Sequence, residues 1–530
     1  MARPPLVIAP RYLLALLLLA GLYAFGLGGL FFIDDSPNLD GLIAPGATAA
    51  EFIFGGHAGP LGRPVSLATF WLQRAAYPVS TTPFLLVNIA IHLINVALLA
   101  WAVQRLQRAN PRLLGAQPWL PLAVALVWGL LPISASASLM IIQRMTTLSA
   151  SFVLLGLHAY LWARQHAAHA RPLPSLLAIS AIGLCTLLAA FAKENGALLP
   201  LLLLVLHHTV LADKTTPPNP WQRLLTLAVW LPSLLLLGYV ASRLPGIAES
   251  YWRRPFTLDE RLASQAVILW EYLRNAFLPT WAEFSPYRDD YPIRHFSDGA
   301  VQLALLAWMA LLAVALWRWR KGRPLLAFAL LWYLAGHLTE SSIFPLFLYF
   351  EHRNYVPLIG PVLVLAVWFF RLPLTPLLRG LLGGAYAAFL ALMLWQVTHT
   401  WGQRQLLAWA TLHPDSPRAL QMLAGAWMQA GKVPEVLALY GEAIERNPQL
   451  TSIALQGLRA SCYLPDEGAA THHWLTIAEK TLPHGEFSLL SEFSLQAIEQ
   501  LQAHGHCSGL EAADMVKLRG WYHSNPLYAR

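Results

Sequence analysis

The chain has 530 residues, of which 56% are hydrophobic and only 12% charged. Soluble globular domains carry roughly 25% charge, so most of this chain needs lipid as its solvent; the length allows one membrane domain and one small soluble domain. A net charge of +8 does not signal nucleic acid, because Lys and Arg sit in short loops between apolar runs, and the three Cys show no zinc-site spacing.

The first element is an apolar run at 12–32, preceded by Arg3 and Arg11. It is longer than a signal-peptide core and ends in Gly-Leu-Phe-Phe-Ile-Asp-Asp without a small-x-small cleavage pattern, so it reads as an uncleaved first span with a cytoplasmic N-terminus. Further apolar runs follow at 84–103, 120–137, 147–163, 174–191, 196–211, 223–242, 301–317, 324–338, 355–370 and 380–398. The expected fold is therefore all-α, a polytopic transmembrane bundle of about eleven spans. Alternating the spans from a cytoplasmic start puts Arg105, Arg108 and Arg112 inside, then Arg164 and Arg171, then Lys214 and Arg223. Arg318, Arg320, Lys321 and Arg323 follow, and finally Arg371 and Arg379. Every inside loop is basic, so count and orientation support each other. The Trp residues, many at the ends of apolar runs, fit an interfacial belt.

An odd number of spans divides the chain into a membrane domain, 1–398, and an outside domain, 399–530. Two outside loops are long, 33–83 and 243–300, and such loops are a usual place for a site. Within the second, 258–278 has helical periodicity with Leu262, Ala266, Leu269 and Leu273 on one face, which predicts a helix lying along the membrane surface. After residue 400 the composition turns soluble. Leu423, Ala424, Trp427, Gly431, Tyr440, Ala443 and Pro448 fit the tetratricopeptide template, and Pro414 and Pro448 stand 34 residues apart, the period of that repeat. One repeat over 417–450 is expected, with 451–530 helical but degenerate; an ordinary helical hairpin is the plainer alternative. Cys462 and Cys507 both fall in this outside domain and are expected to be bridged, whereas Cys185 lies in a span.

Ionisable groups near membrane depth are functional candidates because their burial is costly. Four groups occupy outside ends of spans. Asp34-Asp35 can act as a general base or hold a cation, or else Asp35 or Ser36 caps a helix starting at Pro37. Lys193-Glu194-Asn195-Gly196 offers a phosphate-binding point charge, or a solvated turn. Glu351-His352-Arg353-Asn354-Tyr355, with Glu340 upstream, offers a bidentate phosphate ligand in Arg353 oriented by Glu351, or an interfacial ion pair. Gln143-Arg144-Met145 and Gly62-Arg63-Pro64 add two cations that alternatively snorkel. His92 and Asn95 read as helix–helix hydrogen-bonding groups. No phosphate-cradling glycine loop, G-x-S-x-G or H-E-x-x-H occurs. Two carboxylates and several cations facing one compartment suit a reaction on a lipid-borne phosphate.

These groups in this order resemble the C-type (GT-C) superfamily of membrane glycosyltransferases that use polyprenyl-phosphate sugars, and more narrowly bacterial relatives of the transmembrane and tetratricopeptide-repeat O-mannosyltransferases. The matching stretches are Asp34-Asp35, Gly62-Arg63-Pro64, Asn88 with His92 and Asn95, Gln143-Arg144-Met145, Lys193-Glu194-Asn195-Gly196, and Glu351 through Pro357. The chain departs from that family in having one clear repeat instead of an array. The resemblance implies an inverting sugar transfer with Asp35 or Asp34 as base, Asp35 being preferred because it stands further from the apolar span, and a phosphate pocket formed by Lys193, Arg144 and Arg353, supported by Glu194, Glu351, Arg63 and His352. It also implies a bacterial inner-membrane location with a periplasmic C-terminal domain. The expected partners are a polyprenyl-phosphate sugar, an exported protein or glycan acceptor, and the bilayer, with no nucleic acid. No cofactor is required by the sequence, and a divalent cation stays open. The rivals are a lipid-linked oligosaccharide polymerase or ligase that relies on Arg, and a non-enzymatic scaffold that docks through its repeats.

Overall fold

The computed structural model describes residues 10–527 except 33, 57, 213–216, 465, 466, 487 and 508. Arg3 and Lys214, counted above among the basic flanks, lie outside the described residues. Among those described, the secondary structure is α-helix and 3-10 helix, with no strand.

Each apolar run contains a helix, but the helices divide by length. Six are long and apolar enough to cross a membrane: Thr82–Ala109, Ile141–Ala168, Pro172–Ala192, Pro220–Ser242, Gly299–Arg320 and Pro376–Gly402. The shortest has 21 residues, which at a rise of 1.5 Å per residue spans about 30 Å. A seventh crossing is formed if Leu120–Leu130 and Pro132–Leu139, bent by 61° at their junction, count as one. The other runs yield Pro10–Ala24, Leu199–His208, Leu325–Gly336 and Ile359–Arg371, each too short alone. The first is cut off where Gly26, Gly28 and Gly29 follow. There the chain passes so close to the last long helix that a Cβ on Gly402 would overlap the Phe25 carbonyl oxygen.

The breaks gather irregular backbone at 131–143, 193–198 and 337–358. The longest, 337–358, holds only the single turn Glu351–Asn354. Buried carbonyls outside a helix need donors from elsewhere, and side chains provide them. Arg261 donates to the carbonyls of Glu340 (2.8 Å), Ser342 (2.8 Å), Phe347 (3.3 Å) and Leu346. Tyr251 serves Ile343, Arg254 serves Pro345, and Gln265 serves Leu348, at 2.6, 2.6 and 2.7 Å.

That need explains the helix Leu258–Phe277, which begins at a reciprocal Thr257–Glu260 cap. Its position agrees with the periodicity, but its burial is partly inverted. Arg261, Ser264, Gln265 and Asn275 are buried, while Leu262 is 37% exposed and Leu269 and Leu273 are only partly covered. The polar stripe turns inward because the carbonyls of 337–350 are there to receive it.

A second hydrophobic cluster, separate from the main one, is built by the helices after residue 405, around Leu423, Val436, Tyr440, Ile453, Trp474 and Ile498. Pro417–Gln429 and Val433–Arg446 pack as a hairpin that turns at Gly431, whose φ of +73° is open to glycine. Thr451–Ser461, Glu467–Thr481, Leu489–Ala503 and Ala512–Ser524 complete this region. Cys462 and Cys507 are joined in a disulfide, and Cys185 is free. Leu406 packs against both clusters.

Candidate functional site

Asp34 and Asp35 follow the first helix, and adjacent positions place them in opposite surroundings. Asp35 is fully buried, its two oxygens accepting the backbone N–H groups of Phe32 and Ile142, each at 2.7 Å. It thereby ties the start of the 33–83 segment to the break at 131–143. Burial, only partly offset by those hydrogen bonds, raises its pKa to about 7. Asp34 is half-buried, makes no side-chain cap to the short helix Asp35–Leu39, and its charge acts on Arg254. The cap by Asp35 or Ser36 on a helix starting at Pro37 is not formed, because the helix already starts at Asp35 and both residues lie within it.

The turn after Pro172–Ala192 brings two ion pairs together. Lys193, buried, lies 2.8 Å from Glu340 and donates to Thr146 Oγ1 at 2.9 Å. Burial pushes the Lys193 ammonium below its ordinary value, and Glu340 opposes that shift. Burial also acts to raise Glu340, but the charges of Lys193 and Arg353 and the Lys193 hydrogen bond overcome it and hold that carboxyl at about 2. Asn195 donates to the other Glu340 oxygen at 3.1 Å. Beside them Arg63 pairs with Glu194 at 2.9 Å. Gly59, at φ +70°, permits this contact, since a Cβ there would collide with both side chains.

The turn Glu351–Asn354 is buried throughout. Glu351 is raised to about 7 by burial, against the pull of Arg288, His413 and Arg353. His352 is held well below its ordinary value by burial and by the charge of Lys193, so its ring is neutral. Glu351 Oε1 and His352 Nδ1 are buried without a hydrogen-bond partner among the described residues, the kind of orphan atom that calls for a ligand or water. Arg353 donates to the carbonyls of Leu348 (2.9 Å) and Phe347 (2.7 Å). Its charge, however, has no carboxylate within ion-pair distance among the described residues.

Arg144 stands apart. It is fully buried, and its guanidinium donates to Asn88 Oδ1 (2.7 Å), the Phe84 carbonyl (3.0 Å) and Thr69 (3.3 Å) over the ring of Phe70. All its nitrogens have protein acceptors, so it braces the first loop against Thr82–Ala109. Deeper still, His92 and Asn95 both meet the Tyr355 hydroxyl, at 2.7 and 3.3 Å, and Asn95 also donates to Thr147 O at 2.8 Å, so both make helix–helix hydrogen bonds.

Four polar elements escaped the sequence reading. Arg254 and Arg261 come from the 243–300 segment and its helix; Arg418 comes from the region after residue 405. Arg254 and Arg418 lie 4.5 and 4.1 Å from the ring centre of Phe347. The fourth is the pair Asp289-Asp290, which docks the soluble region. Asp289 accepts Ser416 Oγ at 2.5 Å and the Arg418 backbone N–H at 3.4 Å, and Asp290 meets His413 Nδ1 at 2.9 Å. Trp409 seats the same contact against Phe32, Trp401 and Tyr287. One sequence signal was available: Arg253-Arg254 is a basic pair in an outside loop, against the positive-inside trend.

A cleft of about 390 Å³ in the soluble region is lined by Gln421, Met428, Tyr440, Gln456, Arg459 and Tyr463. Among the described residues no group of three or more His, Cys, Asp or Glu is arranged to hold a metal ion. Compared with known proteins, the chain matches no family model, no curated protein and no solved structure.

Proposed function

We propose that this protein is an inverting membrane glycosyltransferase of the C-type architecture, moving a sugar from a polyprenyl-phosphate carrier to a hydroxyl on the outer face. The architecture belonging to this reading has about eleven spans in residues 1–398. It adds a tetratricopeptide-like periplasmic domain in 399–530, in a bacterial inner membrane. The four short helices then serve as incomplete spans whose broken outer ends build the site. The observation that carries the reading is the meeting of three outer-end groups. The first is a half-buried acidic side chain, Asp34, acting on Arg254. The second is the paired Lys193–Glu340 and Arg63–Glu194 network. The third is the buried Glu351–Asn354 turn with its orphan atoms.

In this mechanism the acceptor hydroxyl attacks the anomeric carbon, the bond from that carbon to the phosphate oxygen breaks, and polyprenyl phosphate leaves. Asp34 takes the hydroxyl proton as the new bond forms. Asp35, with both oxygens engaged by backbone N–H groups, holds Asp34 in place. Lys193 and Arg353 supply positive potential for the leaving phosphate in a water-poor setting, where charges act more strongly. Arg144 positions the first loop behind them. Arg63, Glu194, Glu351 and His352 orient that charge. The acceptor is an exported protein's Ser/Thr or a glycan.

A second reading, an arginine-dependent lipid-linked oligosaccharide polymerase or ligase, is favoured by one observation: among the described residues, the guanidinia facing Phe347 have no carboxylate within ion-pair distance. The deciding experiment incubates the purified chain with a panel of polyprenyl-phosphate sugars and follows release of the lipid phosphate. Release dependent on Asp34 supports the transferase. Release unaffected by Asp34→Asn favours the arginine-centred reading, and no release with any donor removes both.

A further inference from the structure

Phe347 is met by two guanidinia from opposite parts of the chain. Arg254 belongs to the second outside loop and uses one donor, Nε, on the Pro345 carbonyl at 2.6 Å. Its terminal nitrogens have no protein acceptor among the described residues. Arg418 belongs to the helix Pro417–Gln429, and its guanidinium has neither a hydrogen bond nor an ion pair among the described residues. Burial, then the charges of Arg418 and Arg353, lower the pKa of Arg254 to about 10, so these cations repel one another. Arg418 is not a loose surface side chain: Asp289 and Asp290 fix the start of its helix through Ser416, the Arg418 N–H and His413, and Trp409 is buried beneath. Like charges pinned against one ring with open donors are relieved by an anion that takes both forks.

We propose that Arg254 and Arg418 form a two-armed clamp for a phosphate-ester head group, so that the soluble domain supplies half of a site otherwise built by the membrane domain. A phosphate monoester fits because it carries about 1.5 to 2 negative charges at neutral pH and three acceptor oxygens, enough for two guanidinium forks. The identity of that ester as the donor's leaving group rests on the glycosyltransferase reading. The clamp itself rests on the two arginines.

The test uses the full chain in detergent and two probes, methyl phosphate and a short polyprenyl monophosphate, with affinity measured by calorimetry. The variants are Arg418→Ala, Arg418→Lys and, as a charge control from the same domain, the exposed Arg519→Ala. Unfolding temperature without probe identifies any variant that has lost its fold, and Arg418→Lys then reports in place of Arg418→Ala. Loss of one guanidinium fork is expected to weaken both probes about tenfold or more, with Arg418→Lys intermediate and Arg519→Ala unchanged. If methyl phosphate alone binds and depends on Arg418, the clamp stands and the lipid-donor reading falls. If polyprenyl phosphate binds the wild type and Arg418→Ala alike, the clamp is overturned and the donor reading stands. Equal loss in Arg519→Ala, or no binding of either probe by the wild type, also overturns the clamp.

Discussion

Two neighbouring carboxylates illustrate how far one peptide bond can separate chemistry from support. Asp34 is half-buried and its carboxylate has no hydrogen bond or ion pair among the described residues, so Asp34→Asn is expected to leave the unfolding temperature unchanged. The same change should slow sugar transfer roughly a hundredfold or more, the range for a lost general base. Asp35→Asn puts an NH₂ group where two backbone N–H groups converge. It should cost about 1–3 kcal/mol of stability, read by thermal unfolding in detergent, with any loss of transfer following from that. The sign of the pH dependence follows from the raised Asp35 pKa. Folding lifts this group from its ordinary 3.8 to about 7, so the folded state holds the proton more tightly. Its contribution to stability is complete below pH 4 and disappears as pH rises through 7. The wild type should therefore lose stability across that window, and Asp35→Asn should flatten the slope. An identical slope in both proteins would sink the burial argument for Asp35.

Elements were legible where a single helix explains its own sequence, and illegible where one element answers the needs of another. The six long apolar helices and the hairpin at 417–446 could be read from periodicity, because their apolar faces meet lipid or core. The 258–277 helix and its apolar face were found, yet the burial of its polar stripe was not foreseen. Its pattern answers the open carbonyls of 337–350, which no property of the helix itself reveals. For the same reason Lys193, Glu194, Arg63 and Glu351 were visible as charges at apolar boundaries, while Arg254 and Arg418 were not. Their meaning lies in a contact with Phe347 that spans 93 and 71 positions of chain. Arg261→Met tests the account at this scale. It preserves length and apolar stem but leaves four carbonyls without their donor. A loss of about 3 kcal/mol or more is expected, seen as a lower unfolding temperature and proteolysis within 337–358. A variant as stable as wild type would show that these carbonyls find other donors.

At the scale of the whole molecule, the region after residue 405 must lie on the same side of the membrane as residues 289 and 290 if Asp289 is to meet Ser416. Alkaline phosphatase fused after the last residue should accordingly be active in bacterial cells; an inactive fusion with a fluorescent cytoplasmic counterpart reverses the topology. The bridge between Cys462 and Cys507 gives a second check. In protein unfolded without reductant, an alkylating reagent should label Cys185 alone, and labelling of all three refutes the bridge. The irregular stretch at 337–358 also carries a consequence for synthesis. Ribosomes deliver the chain from its N-terminus, so in the proposed topology Tyr251, Arg254, Arg261 and Gln265 are translocated before the carbonyls they serve. The donors are in place when the segment leaves the ribosome, and it never has to sit in lipid with bare peptide groups, a state costing several kcal/mol per group. Moving the 243–300 loop behind that stretch by circular permutation would keep every final contact yet deprive the nascent chain of its escort. The permuted protein should then be degraded during insertion even though its finished structure would be sound.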